Sequence, residues 1–309
     1  MDASAVAGSV NGSGELRPVY IGRDGQRLFG ILHLPEQRRS DVGIVFCSSG
    51  LQNRAGPHRM YVKAARHFSR LGLVSLRVDL PGVGDSDMRE LEQNFDSHDP
   101  ASVAGATNFL VETQGVKRLV LLGLCAGARV AIKAAARDPR AVGVVAWGLP
   151  IISGPVNMKV SKGGGAYMGK ARARSQLREW APKLVNPLAW YRYLTSEKTV
   201  GEGARMVGRA LSGLLPERLR PKSSNQSDFF RSIDAFIASG RPMLFMYGDD
   251  DKIGRQEFGE RFPDIAASRS ATCDLMVVPN GDHTFTRPSA TDEAIERTGD
   301  WLLRRLVGS

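Results

Sequence analysis

Residues 118–132 read RLVLLGLCAGARVAI, and this stretch is the most informative part of the sequence for predicting the fold. Its first half is a short apolar run of the kind found in strands that are buried on both faces. Its second half, from Ala126 onward, has helical spacing, and only the turn Gly123-Leu124-Cys125-Ala126-Gly127 separates the two halves. The stretch therefore predicts a buried strand that runs directly into a helix, with a cysteine in the turn.

The turn matches the pattern G-x-S-x-G, in which a strained, exposed nucleophile lies between a strand and a helix, with cysteine in place of serine. The flanking glycines fit because such a turn is too tight for side chains beside the nucleophile. A position at a helix N-terminus favours the thiolate, since the helix dipole is positive there. Cys125 is thus a candidate nucleophile, and the alternative is a tight turn with an inert cysteine.

Strand-like and helical segments alternate on both sides of this turn. The predicted strands are 19–23, 27–33, 42–47, 74–78, 119–123, 142–147, 243–247 and 275–278; the predicted helices are 60–71, 101–113, 126–136 and 293–306, with a further helical segment around Arg255. The dipeptide Asp24-Gly25 indicates a two-residue hairpin between the first two strands. The alternation predicts an α/β fold with a mostly parallel central sheet flanked by helices.

The alternation stops at Pro150 and resumes near residue 236. We therefore expect a sheet domain made of 17–150 and 236–309, an inserted helical cap at 151–235, and a disordered tail at 1–16. Between residues 151 and 222 there are fourteen Lys and Arg against four Glu, so this segment carries a charge equal to the net +10 of the whole chain. Such a basic surface attracts nucleic acid, an anionic membrane or an acidic substrate or carrier; the alternative is a solvated helical surface.

Two later loops supply candidate partners for Cys125. When a nucleophile lies in such a turn, its acid and histidine follow in sequence, at the ends of later strands. Asp249-Asp250-Asp251 comes after one predicted strand, and Pro279-Asn-Gly-Asp-His283 comes after the next. Asp251 is the preferred acid, with Asp249 as the alternative, and it would hold the tautomer of His283 and stabilise its imidazolium.

The predicted oxyanion hole takes one backbone N–H from Ala126, the residue after the nucleophile. A second N–H is expected from Leu51, in the loop that follows the strand 42–47. The stretch from Asp79 to Ser86 forms a glycine-rich loop after a strand and is expected beside the same site.

Several of these motifs together resemble a known family. Asp79-x-x-Gly82-x-Gly84-x-Ser86, Gly248-x-x-Asp251 and the late His283 resemble the serine-aminopeptidase-like branch of the α/β hydrolases. The stretch from Gly50 to Arg59 and the Gly123-Leu124-Cys125 elbow are similar to those of exosortase-system-associated hydrolases, which have a cysteine nucleophile. The resemblance covers 19–150 and 241–309 but not the cap, and it implies an α/β-hydrolase fold.

These observations favour an enzyme that cleaves an ester or thioester through a Cys-His-Asp triad and a covalent acyl-cysteine. An acyltransferase or condensing enzyme with the same triad stays open, as does a non-catalytic binding protein on a hydrolase scaffold. The expected partner is a small-molecule acyl substrate, which the basic cap would attract if it were attached to coenzyme A or a carrier protein. Within the cap, Arg172, Arg174 and Arg178 are the candidate contacts for such a carrier, and Trp180, Leu188, Trp190, Tyr191, Tyr193 and Leu194 would line an acyl pocket or form the cap's own core.

Several other classes of protein are disfavoured. The chain has no Walker motif, no HExxH and no GxGxxG between a strand and a helix, so no metal or cofactor is expected. Its three cysteines contain no CxxC, which argues against a zinc site and suits a cytoplasmic location. No apolar run approaches the ~20 residues that span a bilayer. A nucleic-acid role would rest on charge alone.

Overall fold

The computed structural model describes residues 8–9, 14–23, 26–48, 52–87, 100–151 and 224–308. The chain divides into two compact units. One comprises Met1–Leu149, Phe229–Lys252 and Asp264–Ser309, and the other comprises Pro150–Asp228 and Ile253–Pro263. Residues 152–223, most of the predicted cap, lie outside the described residues, so the helical character of that segment stays a prediction.

The described strands form one sheet of nine strands. They are β1 (Gly8–Ser9), β2 (Glu15–Arg23), β3 (Gln26–Leu34), β4 (Val42–Cys47), β5 (Val74–Val78), β6 (Arg118–Leu124), β7 (Ala141–Trp147), β8 (Met243–Gly248) and β9 (Cys273–Val278). Their order across the sheet is β1-β2-β3-β5-β4-β6-β7-β8-β9. Every pair from β5 to β9 in that order is parallel, and the pairs on the β1 side are antiparallel.

The edge of the sheet shows how local sequence sets its pairing. Arg23 pairs with Gln26, so β2 and β3 form the predicted hairpin with a two-residue connection. Gly8 and Ser9 pair with Leu16 and Glu15, which places two short strand segments inside the stretch expected to be a disordered tail. Backbone pairing alone extends the sheet there, and no apolar periodicity in the sequence predicts it.

Seven helices lie between the strands or after them in the described chain. They are α1 (Met60–Arg70), α2 (Pro100–Gln114), α3 (Ala126–Arg137), α4 (Ser224–Ala238), α5 (Lys252–Arg261), α6 (Pro263–Ala266) and α7 (Pro288–Leu302), which continues as a π-helical turn (Leu303–Val307). The last helix begins five residues before its predicted start. Pro288 explains the difference, because proline at the first position of a helix loses no hydrogen bond there.

The strands that the sequence identifies most clearly are also the most buried. All residues of β4, β5 and β8 are buried, and β6 and β7 each have one partly exposed residue. Trp147, at the end of β7, is fully buried and donates its indole N–H to Thr298 of α7 at 3.0 Å. This packing fixes the carboxyl ends of the central strands, which carry the candidate site. Within the described residues, no helix is long and apolar enough to cross a membrane.

Candidate active site

Cys125 occupies the turn between β6 and α3 with a strained backbone. Its φ of 55° and ψ of −122° lie in a region that non-glycine residues rarely adopt, at a cost of order 1–3 kcal/mol. The turn is held on both sides, since the Cys125 N–H donates to the Trp147 carbonyl at 2.8 Å and the Cys125 carbonyl accepts from the Ala128 N–H at 3.0 Å. Strain of this kind persists only where the surrounding structure holds it, and it is concentrated at functional sites.

The two glycines of the turn are required by close backbone approaches. A Cβ on Gly123 would lie 2.2 Å from the Gly127 carbonyl oxygen, and a Cβ on Gly127 would lie 2.3 Å from the Cys47 carbonyl oxygen. Both distances are far below van der Waals contact. The turn therefore packs against its own helix and against the end of β4, as the sequence pattern predicts.

Tyr61 of α1 supports the turn, although no local sequence pattern identifies it. Its hydroxyl accepts a hydrogen bond from the Leu124 N–H at 2.8 Å and donates one to the Cys47 carbonyl at 3.1 Å. Burial raises the pKa of Tyr61, so the hydroxyl keeps the proton that it donates. One side chain thereby joins the ends of β6 and β4 directly beside the nucleophile.

His283 and Asp251 meet through the loops that follow β9 and β8. The Nδ1 atom of His283 lies 2.7 Å from Oδ2 of Asp251, whose side chain is only 10% exposed. The neighbouring Asp250 instead pairs with Arg287, at 3.5 Å. Of the three consecutive aspartates, Asp251 is the one with a hydrogen bond to the imidazole of His283 among the described contacts.

Close contact between the two loops sets this geometry. The Asp250 N–H donates to the Gly281 carbonyl at 2.9 Å, and the Asp249 N–H donates to the Val278 carbonyl at 3.0 Å. A Cβ on Gly248 would lie 2.0 Å from the Gly281 oxygen, so glycine is required where the loops cross.

Gly148 is a second residue that the sequence analysis missed. It follows β7 with a φ of 53°, and a Cβ there would lie 2.5 Å from the His283 carbonyl oxygen and 3.5 Å from its Nδ1. Any side chain would displace the histidine loop. A glycine directly after a buried strand is the signal that would have identified this position.

Comparison with known proteins places the chain in a family. The sequence model described as the alpha/beta hydrolase family matches residues 44–297. This chain belongs to the alpha/beta hydrolase family. No curated protein gives a significant sequence match.

Solved structures agree on the fold. An esterase of Pyrococcus furiosus is 19% identical with a TM-score of 0.58 and 99% of each chain covered. A dienelactone hydrolase of Anabaena variabilis is 15% identical with a TM-score of 0.54, covering 95% of this chain and 99% of its own. Est1E of Butyrivibrio proteoclasticus, with ferulic acid bound, is 14% identical with a TM-score of 0.58, covering 93% and 99%. The predicted α/β-hydrolase fold is thus confirmed.

The electrostatics of this alpha/beta hydrolase centre on His283. Burial lowers the pKa of His283, but hydrogen bonds to Asp251 and to Cys125, together with the charges of both partners, outweigh it and raise the pKa to about 10. Because Nδ1 faces Asp251, Nε2 is the nitrogen left for the Cys125 sulfur. The raised pKa makes His283 a stronger base than an ordinary imidazole.

The other two cysteines lack such surroundings. Cys47 is fully buried in β4 and Cys273 is 2% exposed in β9. Burial raises the pKa of both thiols. Cys125 is the cysteine that is partly exposed. Cys47 and Cys273 are therefore small buried residues of the sheet.

Of the two backbone N–H groups expected to form the oxyanion hole, only that of Ala126 belongs to a described residue. Ala126 is the first residue of α3, where backbone N–H groups have no acceptor within the helix. Leu51 lies outside the described residues, and its role stays a prediction. The loop after it is anchored by Asp79, a fully buried carboxylate that accepts from the Arg54 N–H at 2.6 Å and from the Asp85 N–H at 3.1 Å.

The glycine-rich loop 79–86, predicted beside the site, also packs against the Asp79 carboxylate. A Cβ on Gly84 would lie 2.1 Å from Oδ2 of Asp79, so only glycine lets the loop close over the carboxylate. The Ser86 hydroxyl donates to the Asp79 carbonyl at 2.7 Å and accepts from the Phe29 N–H at 2.8 Å. Over the described residues, no cluster of three or more His, Cys, Asp or Glu side chains has the arrangement of a metal site.

Proposed function

We propose that this alpha/beta hydrolase cleaves an ester or thioester through a covalent acyl-Cys125 intermediate. The observation that supports this most is the hydrogen bond between His283 and a nearly buried Asp251, at 2.7 Å. Interaction with Cys125, at the strained turn, is among the causes that raise the pKa of His283. This nucleophile, base and acid have the roles that acyl transfer requires.

The proposed acylation step follows from these contacts. The Cys125 thiol passes its proton to Nε2 of His283 as the sulfur attacks the substrate carbonyl carbon. The carbonyl oxygen becomes an oxyanion that accepts a hydrogen bond from the Ala126 N–H. The intermediate collapses with cleavage of the bond to the leaving group, which takes a proton from Nε2 of His283. The product of this step is an acyl thioester on Cys125.

In the deacylation step, Nε2 of His283 removes a proton from water, and the resulting hydroxide attacks the thioester carbonyl. The carbon–sulfur bond breaks, the acid is released, and the Cys125 sulfur takes a proton back from Nε2 of His283. Asp251 keeps the ring oriented by accepting a hydrogen bond from the Nδ1–H of His283.

An acyltransferase reaction differs only in what attacks the thioester. A thioester is more reactive toward amines and thiols than an oxoester is, so cysteine suits transfer as well as hydrolysis. The sharper version, with the acyl group on coenzyme A or a carrier protein, rests on the basic segment around Arg172, Arg174 and Arg178, outside the described residues. It predicts that neutralising these three arginines slows turnover of a carrier-bound acyl group.

The three cysteines are all unpaired, which supports the proposed cytoplasmic location.

The proposal is tested by trapping the intermediate. The protein is incubated with p-nitrophenyl acetate, p-nitrophenyl butyrate and butyryl-coenzyme A, quenched in acid and measured by intact mass, with peptide mapping of the modified residue. We expect the mass of one acyl group on Cys125, and no such adduct in Cys125→Ala. Cys273→Ala, which alters a buried cysteine, is the matched control and keeps the adduct.

The reaction products distinguish hydrolysis from acyl transfer. Free acid alone in the presence of glycine amide or glycerol indicates a hydrolase, whereas an amide or ester product indicates a transferase. If Cys125→Ala turns over the same substrates as fast as the unmodified chain does, the acyl-cysteine mechanism is wrong. If no substrate acylates the protein, the non-catalytic binding role replaces it.

A further inference from the structure

A pocket lined by arginines lies apart from the cysteine turn. It has a volume of about 430 Å³ and is bounded by β2, β3, α1, β5 and the loop after β4. Its arginines are Arg54, Arg59, Arg66 and Arg77, and its apolar wall includes Pro18, Ile31 and Val62. This size lies within the range of small-molecule sites.

The positive charge of the pocket exceeds its negative charge. Arg54 is the arginine that pairs with carboxylates, namely Asp79 and Asp85. Arg77 is only 6% exposed, and its hydrogen bonds go to neutral acceptors: Nε2 of His33 at 2.9 Å and the Arg54 carbonyl at 2.9 Å.

Within the described part of the chain, neither Arg59 nor Arg66 forms an ion pair. Three guanidinium groups therefore line the pocket without a carboxylate partner among the described residues.

Two buried hydrogen-bond donors in this region also lack an acceptor. Nε of Arg66 is shielded from solvent and has no partner within the described residues. His33 is fully buried and accepts from Arg77 at Nε2, so in its neutral form the proton is on Nδ1, which likewise has no partner there. Unsatisfied buried donors are rare in folded proteins because each costs about 1–3 kcal/mol.

The charges act on one another. Burial lowers the pKa of Arg77 to about 10, helped by repulsion from Arg54, Arg66 and Arg59 against an opposing effect of Asp79. Burial, then repulsion from Arg77 and Arg66, lowers the pKa of His33 to about 3. The cluster thus holds positive charges together at a cost to the folded state, and an anion in the pocket would relieve that cost.

We propose that this pocket binds the phosphate group of an organic phosphate ester, with the phosphate among Arg59, Arg66 and Arg77 and the organic part against Pro18, Ile31 and Val62. Arg59 ends a short 3-10 helix (Pro57–Arg59), Arg66 lies in α1 and Arg77 lies in β5. Donors that converge from several elements suit a tetrahedral dianion better than a carboxylate, which offers two oxygens in one plane. The volume exceeds the needs of a free phosphate ion, and the apolar wall accounts for the remainder.

The proposal is tested by calorimetric titration of the full chain with phenyl phosphate, inorganic phosphate and benzoate at constant ionic strength. The variants are Arg59→Gln and Arg66→Gln, and the matched control is Arg70→Gln, an exposed arginine at the end of the same helix α1 that does not line the pocket. We expect phenyl phosphate to bind at least about tenfold more weakly to each pocket variant and equally well to the control. Benzoate should bind at least tenfold more weakly than phenyl phosphate.

The titrations also distinguish a phosphate ester from free phosphate as the ligand of the pocket. Tighter binding of phenyl phosphate than of inorganic phosphate supports an ester ligand, whereas equal binding supports free phosphate as the ligand of the same arginines. Without ligand, Arg66→Gln should keep or raise the melting temperature, because it removes a repelling charge, and this shows that the variant folds. The proposal is overturned if phenyl phosphate does not bind, if the three variants bind it equally, or if benzoate binds as tightly.

Discussion

Substitution of Tyr61 by phenylalanine tests how the cysteine turn is held. The change removes one hydroxyl and leaves the ring, which packs against Phe46 and Trp147 at centroid distances of 5.1 and 6.4 Å. Two buried backbone groups then lose their partner: the Leu124 N–H and the Cys47 carbonyl. At about 1–3 kcal/mol for each unsatisfied group, we expect the free energy of unfolding to fall by roughly 2–6 kcal/mol.

The assay combines stability with kinetics. Urea unfolding followed by tryptophan fluorescence gives the loss of stability, and Tyr20→Phe is the control, since Tyr20 is 60% exposed and its hydroxyl is not buried. Because Leu124 precedes the nucleophile, kcat should fall by about tenfold while KM changes little. If Tyr61→Phe and Tyr20→Phe have equal stability and equal kcat, the hydroxyl does not hold the turn.

Three further predictions concern the histidine loop. Asp251→Asn should lower kcat by roughly 10²–10⁴-fold, because the imidazole loses the carboxylate acceptor that orients it. Asp250→Asn, which breaks an exposed pair with Arg287, should change kcat less than about twofold. Equal effects of the two variants in steady-state assays would refute the assignment of Asp251. The folded-state pKa of His283, about 10, is above its ordinary value of 6.5, so its stabilising contribution is complete below pH 6.5 and is lost as the pH rises through about 10. Urea midpoints across pH 6–10 should therefore fall less steeply in His283→Gln, and parallel curves would contradict the raised pKa. Gly148→Ala should lower kcat at least about tenfold, since its Cβ meets the His283 carbonyl. Gly240→Ala, at a φ of 73° with nothing within 4 Å, should cost about 1–2 kcal/mol of stability from backbone strain without loss of kcat. Equal kcat in the two variants would show that the close approach of Gly148 to His283 is unimportant.

The sequence predicted the sheet well because its central strands are buried on both faces. Runs such as 42–47 and 243–247 contain almost no polar residues, and such runs identify parallel strands. The turn around Cys125 was equally clear, since its glycines and flanking elements are adjacent in the sequence. The fold and the candidate nucleophile were therefore predictable from local patterns alone.

The supporting contacts were not predictable in this way. Tyr61 reaches Leu124 across 63 positions of sequence, and Arg77 reaches His33 across 44. Contacts of this kind exist only once the strands have their order in the sheet, and nothing in the local sequence marks them. The choice of Asp251 among three consecutive aspartates likewise depended on how two loops cross at Gly248 and Gly281.

We propose that Cys125 is the nucleophile and that His283 activates it. The most direct test is the rate of iodoacetamide labelling of each cysteine at pH 6, measured by peptide mapping in the unmodified chain and in His283→Ala. An ordinary thiol, with a pKa of about 8.5, is almost entirely protonated at that pH and labels slowly. We predict fast labelling of Cys125, slow labelling of the buried Cys47 and Cys273, and loss of the fast reaction in His283→Ala. Equally slow labelling of all three cysteines, or fast labelling that persists without His283, would contradict the proposed pair.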